Sequence, residues 1–446
     1  MAATKNDRRT IFGWAMYDWA NSAYITIAGA IVASFFTGEI VPEEGFRGMS
    51  GETLWAYVVS IGAFVLFLVM PVLGAVSDFT GAKRAFLRFF ALVGGTFTLA
   101  VPFVPSGAVL LFLGVFLITQ VGFTAANVFY DAFLPHITTD DTIDRVSSRG
   151  FATGYVGGGL YLLLALVLIL LSGDDGITGL TTEGAARVAI FGCGVWWIGF
   201  TIYALRRLPE PGTPEAIPPE LAGEPSLVAY AAVGFRRTIA TARKLLRFRH
   251  LMLFVLAFIF YNDGTQTVIN ISGAYAEDTL GLATEQIAIA FLIVQFIAFF
   301  GALAFGVLAD RIGTKPAIMV ALAGWSAIAV AGYFLPAEQS TPLYVLAVFI
   351  GFVLGGVQAL SRSLYGSMIP EEASAEFYGF FSVFSKFSAI FGPLLFAVVS
   401  DVTDSGRPAI LSIVAFFVIG MVLLAVVDVD RARASRQDWH VEGLQV

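Results

Sequence analysis

Charge is scarce in this chain: Asp, Glu, Lys and Arg together make up 13% of 446 residues, about half the share of an ordinary soluble domain. With 57% hydrophobic residues and a mean hydropathy of +0.81, there is too little polar surface to enclose a water-soluble core. Cysteine is nearly absent. Cys193 stands alone inside an apolar run, which excludes an intramolecular disulfide, a thiolate zinc cluster and a Cys-x-x-Cys redox pair. Only three histidines occur, His136, His250 and His440; all read as loop or terminal residues, so no metal site and no cofactor is expected. The chain has no Gly-x-x-x-x-Gly-Lys-Ser/Thr phosphate loop, no zincin helix and no nucleophile elbow, so neither nucleotide hydrolysis nor another enzymatic activity is expected. A net charge of -7 gives no support to a nucleic-acid partner.

What is abundant points to the lipid bilayer as solvent. Forty-six glycines and 42 phenylalanines suit membrane helices, where small residues let backbones approach closely. A helix needs about 20 apolar residues to cross the hydrocarbon core. Such stretches recur at 12–36, 54–76, 85–104, 107–131, 149–172, 185–206, 251–275, 286–309, 315–335, 342–366, 377–400 and 408–428. These predict an all-α integral membrane protein of twelve transmembrane helices. The basic residues before the first run, Lys5, Arg8 and Arg9, imitate a signal peptide, but no small-residue cleavage site follows, so the first helix is read as retained.

Between the sixth and seventh runs, Pro209, Pro211, Pro214, Pro218, Pro219 and Pro225 favour an extended, semi-rigid linker. An amphipathic stretch with Arg236, Arg237, Arg243, Lys244, Arg247 and Arg249 follows Ser226 and is expected along the cytoplasmic face. The organisation predicted is a six-helix bundle over 1–206, a linker with an amphipathic helix over 207–250, a second six-helix bundle over 251–430 and a tail over 431–446. Alternate loops differ in charge. One set holds nearly all of the Lys and Arg, and the other holds only Arg47, Arg187 and Arg407. By the positive-inside rule both termini are expected in the cytoplasm, in a prokaryotic cell (inner) membrane.

The halves repeat. After the second run the chain reads Gly74-Ala-Val-Ser-Asp78-Phe79-Thr-Gly81-Ala-Lys83, and after the eighth Gly306-Val-Leu-Ala-Asp310-Arg311-Ile-Gly313-Thr-Lys315. Two six-helix repeats in parallel with a central linker, carrying this loop twice, resemble the major facilitator superfamily. Tyr17-Asp18-Trp19-Ala20-Asn21-Ser22-Ala23-Tyr24 in the first span, Tyr261-Asn262-Asp263-Gly264-Thr265-Gln266-Thr267 in the seventh, and Gly392-Pro393-Leu394-Leu395-Phe396 in the eleventh resemble its vacuole-effluxer-like branch. The resemblance covers the whole chain. It implies two pseudo-symmetric bundles that rock about a central site, with the third, sixth, ninth and twelfth spans as supports toward lipid. Fungal members of the branch are associated with amino-acid export from the vacuole. The chain departs from the superfamily loop at Phe79, where a basic residue is usual.

A polar side chain at membrane depth is costly without a partner, so polar positions map the interior. Gln120, Thr124, Asn127 and Asp131 share one face of the fourth span by their spacing, as do Asp263, Gln266, Thr267 and Asn270 in the seventh. Gln358 and Arg362 lie in the tenth, and Asp18, Asn21 and Tyr24 in the first. Lys386 lies in the eleventh. These residues are the candidates for substrate binding and coupling, with inner-gate contact the open alternative for Asp18, Asp131 and Arg362. Asp263 and Lys386 lie nearest the midplane and are expected to act as a coupling pair, with a structural salt bridge the open alternative. In the repeated loops, Asp78 and Asp310 are expected to face helix N-termini of the opposite half, near Phe377 and Ser147, or else to pair locally with Arg84 or Lys315.

The expected function is secondary active transport of a small polar solute by alternating access, with amino-acid efflux suggested by an arginine and acids that suit a zwitterion, and with protons as the coupling ion. Its partners would be that solute, the bilayer and protons, and it is expected to act as a monomer. A sugar or drug exporter, and a membrane receptor or scaffold that does not transport, are the competing readings.

Overall fold

The computed structural model describes residues 4–173, 176–221 and 223–436; His440 and the end of the predicted tail lie outside them. Among the described residues twelve helices are long and apolar enough to span a bilayer, numbered here in chain order. They are α1 (Arg8–Ile40), α2 (Gly51–Thr80), α3 (Lys83–Phe103), α4 (Val109–Ile137), α5 (Ile143–Leu170), α6 (Thr182–Leu205), α7 (Arg249–Thr279), α8 (Glu285–Ile312), α9 (Thr314–Tyr333), α10 (Ser340–Met368), α11 (Ser374–Thr403) and α12 (Gly406–Val426). The linker helix is Ser226–Leu245.

Local chemistry sets the ends. Ser50 accepts the backbone N–H of Thr53 to start α2, and Gly81 at φ +60° closes it in the left-handed conformation that suits glycine. Thr181 caps α6 in the same way through Gly184. Most spans run a few residues past the expected apolar stretch, because a helix needs no apolar side chains once it leaves the hydrocarbon.

Among the described residues, the longest interruption within a span falls in α11. α11 is interrupted between Phe387 and Phe391, giving segments Ser374–Phe387 and Phe391–Thr403. Pro393 has no N–H and its ring crowds the carbonyl four residues earlier, so it is tolerated only in the first turn of a new segment.

Within the first half α1 packs on α5 and α6, and within the second α7 packs on α12; the halves meet where α2 lies on α11 and α5 on α8 and α10. Large apolar side chains on outward faces, among them Phe64, Phe89, Phe103, Leu110 and Val402, are exposed, as expected of surfaces that meet lipid tails.

Candidate substrate and coupling site

The polar stripe of α10 ends in Arg362, which is 4% exposed. Its Nη1 lies 3.0 Å from Asp131 Oδ1 of α4 and 3.4 Å from Asp18 Oδ2 of α1. Its Nε donates to Ser147 Oγ at 3.0 Å and its Nη2 to the Ser147 carbonyl at 2.9 Å, both on α5. The Tyr130 hydroxyl donates to Asp18 at 2.8 Å. Rings of Trp14, Tyr130 and Phe151 surround the guanidinium at 4.8, 5.4 and 4.1 Å, and Trp14 stacks on Tyr130. A planar, weakly hydrated cation fits such a cage. Two carboxylates face one guanidinium, so with both ionised the cluster carries a surplus negative charge away from water. The residues belong to opposite halves, and the cluster therefore ties them together.

The repeated loops form two further ties. Asp78 accepts the backbone N–H groups of Ala375 (3.2 Å) and Glu376 (2.8 Å) at the start of α11, where unpaired donors and the helix dipole favour an anion. Its cation is Lys83 at 2.5 Å, not Arg84. Gly74 makes this approach feasible: a Cβ there would stand 2.7 Å from Glu376 Cα and would strike the Ala375 carbonyl. Gly306 does the same opposite Ser148, whose Oγ would be 2.7 Å from an added Cβ. Asp310, however, accepts no backbone N–H from the described residues, although its partner stands in the first turn of α5. It pairs with the Arg145 side chain at 2.5 Å, because α8 approaches α5 where Arg145 reaches outward. Lys315 donates instead to the carbonyls of Ala425 and Val427 at 2.7 Å each, closing the end of α12. Gly313, at φ +91°, turns this loop, and Arg311 on it is exposed.

Asp263 and Lys386 are not an ion pair. Asp263 accepts the N–H groups of Phe391 (3.1 Å) and Gly392 (2.8 Å), so it caps the second segment of α11 at the break. Lys386 occupies the last turn of the first segment. Its side chain is exposed and makes no hydrogen bond or ion pair with the other described residues, although protein packs around it. Asn21 donates to Asn127, Tyr24 bonds Thr119 at 2.8 Å, and Gln120 donates to the Val59 carbonyl at 3.2 Å; all three bonds lie within the first half. Gln266 and Gln358 are half-buried and Asn270 is exposed.

The sequence reading missed several residues. Trp14 and Tyr130 were within reach, since Trp14 lies one helical turn from Asp18 and Tyr130 adjoins Asp131. Asp144 and Glu371 were not, and Ser147, expected beside Asp310, meets Arg362 instead. Asp144 accepts Thr314 Oγ1 at 2.6 Å and Ser363 Oγ at 2.5 Å across the halves. His136, expected in a loop, ends α4 and is buried. It bonds Ser374 at 3.1 Å and approaches Glu371 at 3.3 Å. Lys5 also pairs with Glu371, at 2.6 Å. Burial would raise the Glu371 carboxyl, but hydrogen bonds from His136 and Lys5, together with their charge, hold it at about 2. Among the described residues no cluster of His, Cys, Asp or Glu could hold a metal ion.

These ties share a location. Cross-half hydrogen bonds between described residues gather at the end that carries the termini, and the one farthest from it is Gln295 to Thr26 at 3.2 Å. Both partners lie about 26 Å along their spans from that end, near mid-depth. The chain is closed on the side of the termini.

A family model described as "Vacuole effluxer Atg22 like" matches residues 40–437. The chain is 33% identical over 414 residues, 93% of its length and 94% of the relative's, to a protein named "Uncharacterized MFS-type transporter YxiO" of Bacillus subtilis. It is 27% identical to autophagy-related protein 22 of Yarrowia lipolytica over 311 residues, which is 66% of this chain but 52% of that longer protein. Among solved structures it resembles the proton:xylose symporter XylE, with TM-score 0.69, 15% identity and coverage of 96% and 98%. It also resembles the transporter FucP in its outward conformation, with TM-score 0.69, 12% identity and coverage of 94% and 100%. At these identities the solved structures show the fold alone: two bundles of the major facilitator type.

Proposed function

The chain belongs to the Atg22-like vacuole effluxer family of major facilitator transporters, and from that premise we propose that it exports an amino acid by alternating access in exchange for protons. The observation that carries this reading is Arg362, held from the second half between Asp18 and Asp131 of the first. A proton on either acid removes the surplus negative charge and weakens the tie, which allows the end near the termini to open. Loss of that proton draws Arg362 back and closes it. Orientation follows the basic-residue asymmetry, with termini and linker cytoplasmic.

The solute site lies deeper. Lys386 offers a cation without a partner for a carboxylate, and Gln358, Gln266, Asn270 and Asn127 offer amide oxygens for an ammonium. In this reading Asp263 is a structural cap, and coupling lies with Asp18 and Asp131.

Purified protein in liposomes with an imposed pH gradient, offered pooled amino acids, tests the proposal. Gradient-dependent amino-acid movement that is lost in Asp131→Asn and Lys386→Gln is expected. Movement of sugars alone would overturn the substrate class, and no movement of any solute would favour a receptor or scaffold.

A further inference from the structure

The two faces of the linker helix have different surroundings. On one, Gly234 lies against α2, with its Cβ position 2.5 Å from Val76 Cγ2 and 3.0 Å from the Val72 carbonyl. Tyr230 sets its ring edge on Phe79, and Arg237 lies over that ring at 5.2 Å while pairing with Glu215 at 2.5 Å. Val72 lies about 12 Å along α2 from its end at Thr80. The linker helix therefore runs beside the span, at the depth of lipid headgroups, and not beneath its tip. Its other end is fixed at the same level, because α7 enters the membrane at Arg249, directly after Phe248.

The opposite face is exposed among the described residues. Val228, Phe235 and Ile239, continued by Leu246, are 51, 59, 37 and 73% exposed. At 100° per residue they form one stripe. Beside it runs a second row, Arg236, Arg243 and Arg247, also exposed. Arg236 has one exposed partner, Glu220 at 3.1 Å, and the other two make no ion pair with described residues. An apolar stripe flanked by arginines, on a helix held at headgroup depth and turned away from the bundle, complements an anionic leaflet in both polarity and charge.

We infer that the linker helix is an interfacial element that binds anionic phospholipid. The apolar stripe enters the boundary of the acyl chains and the arginine row takes the phosphates. The inner face carries this to the first gating loop through Arg237 and Phe79, which supplies from the linker the cation that the loop itself lacks after Asp78. The inference requires no particular solute.

The test uses the full chain with Cys193→Ala in nanodiscs of phosphatidylcholine and phosphatidylglycerol, spin-labelled in turn at Phe235→Cys, Ile239→Cys and Leu246→Cys. Phe64→Cys on the exposed face of α2 serves as the lipid reference and Gly223→Cys, which has open space around it, as the aqueous one. All three labels should collide with oxygen and escape a water-soluble nickel chelate, as at position 64. Nickel access equal to that at position 223 would overturn the inference, and shielding from both reagents would reveal a protein contact and overturn it too. Spin-labelled phosphatidylglycerol should also associate in preference to phosphatidylcholine, and changing Arg236, Arg243 and Arg247 to Gln should weaken that preference by up to roughly fivefold per arginine. An unchanged preference would remove the arginine row from the proposal. Should the triple variant fail to assemble, the labels on the unaltered charge set still decide, since they should sink deeper as the phosphatidylglycerol fraction rises.

Discussion

A guanidinium shared by two carboxylates responds differently to the loss of each charge around it. Asp131→Asn keeps the hydrogen bond to Arg362 but removes the group that could exchange a proton. It should abolish accumulation driven by a pH gradient while leaving solute counterflow nearly intact; normal accumulation would return Asp131 to a purely structural role. Asp263 should behave in the opposite way. Asn keeps one acceptor oxygen for the Gly392 N–H but turns its NH2 toward the Phe391 N–H, so Asp263→Asn loses one hydrogen bond, about 0.5–1.5 kcal/mol, and the charge at a helix N-terminus, about 0.3–1 kcal/mol. Its gradient-driven accumulation should persist, while Asp263→Ala, which lacks the acceptor, should lower thermal stability by about 1 kcal/mol or more. Glu371 sets a pH boundary. Its carboxyl is depressed to about 2 in the closed state, so its contribution is fully present above its ordinary value and fades only as pH falls toward 2. Glu371→Gln should therefore lower the closed fraction measured by cross-linking at pH 7, and an unchanged fraction would mean that its contacts with His136 and Lys5 do not hold the halves together.

The two repeated loops show what could be read from the sequence and what could not. Their glycines repeat at fixed offsets, and a glycine four residues before an aspartate is legible as a place where another backbone comes close. Gly74→Val should therefore wedge α2 from α11, since the first carbon alone would strike the Ala375 carbonyl. Overpacking costs about 1–3 kcal/mol, enough to shift a balanced gate roughly tenfold. A reporter cysteine at Ala359, buried between the halves, should become reactive from the side of the termini; unchanged reactivity would mean closure does not depend on this contact. The twelve spans and the polar faces of α1, α4, α7 and α10 were equally legible, because spacing alone puts residues on a face. Partners were not. Nothing near Asp310 announces Arg145, and Phe79 reads as a missing cation until the fold brings Arg237 over its ring. Asp263 reads as a coupling acid because the broken helix whose N–H groups it satisfies belongs to another span.

For the molecule as a whole, orientation is the first quantity to measure. With Cys193→Ala as background, Gly223→Cys should resist an impermeant thiol reagent in intact cells and Glu44→Cys, exposed at the opposite end, should react; the reverse pattern would invert the topology. A second consequence concerns how far the halves can travel. The segment after α6 is docked: the Glu215 N–H donates to the Phe79 carbonyl, Glu210 accepts the Arg84 N–H, and Gly212 lies against Gly81. The linker helix is docked as well, so it moves with the first half, and the three residues Leu246, Arg247 and Phe248 join it to α7, with Phe248 packed against the core. Fully stretched, they reach about 10 Å. They act as a short leash that limits the stroke of the machine at the edge that carries the termini. Any wider opening would have to peel the linker helix from α2 first.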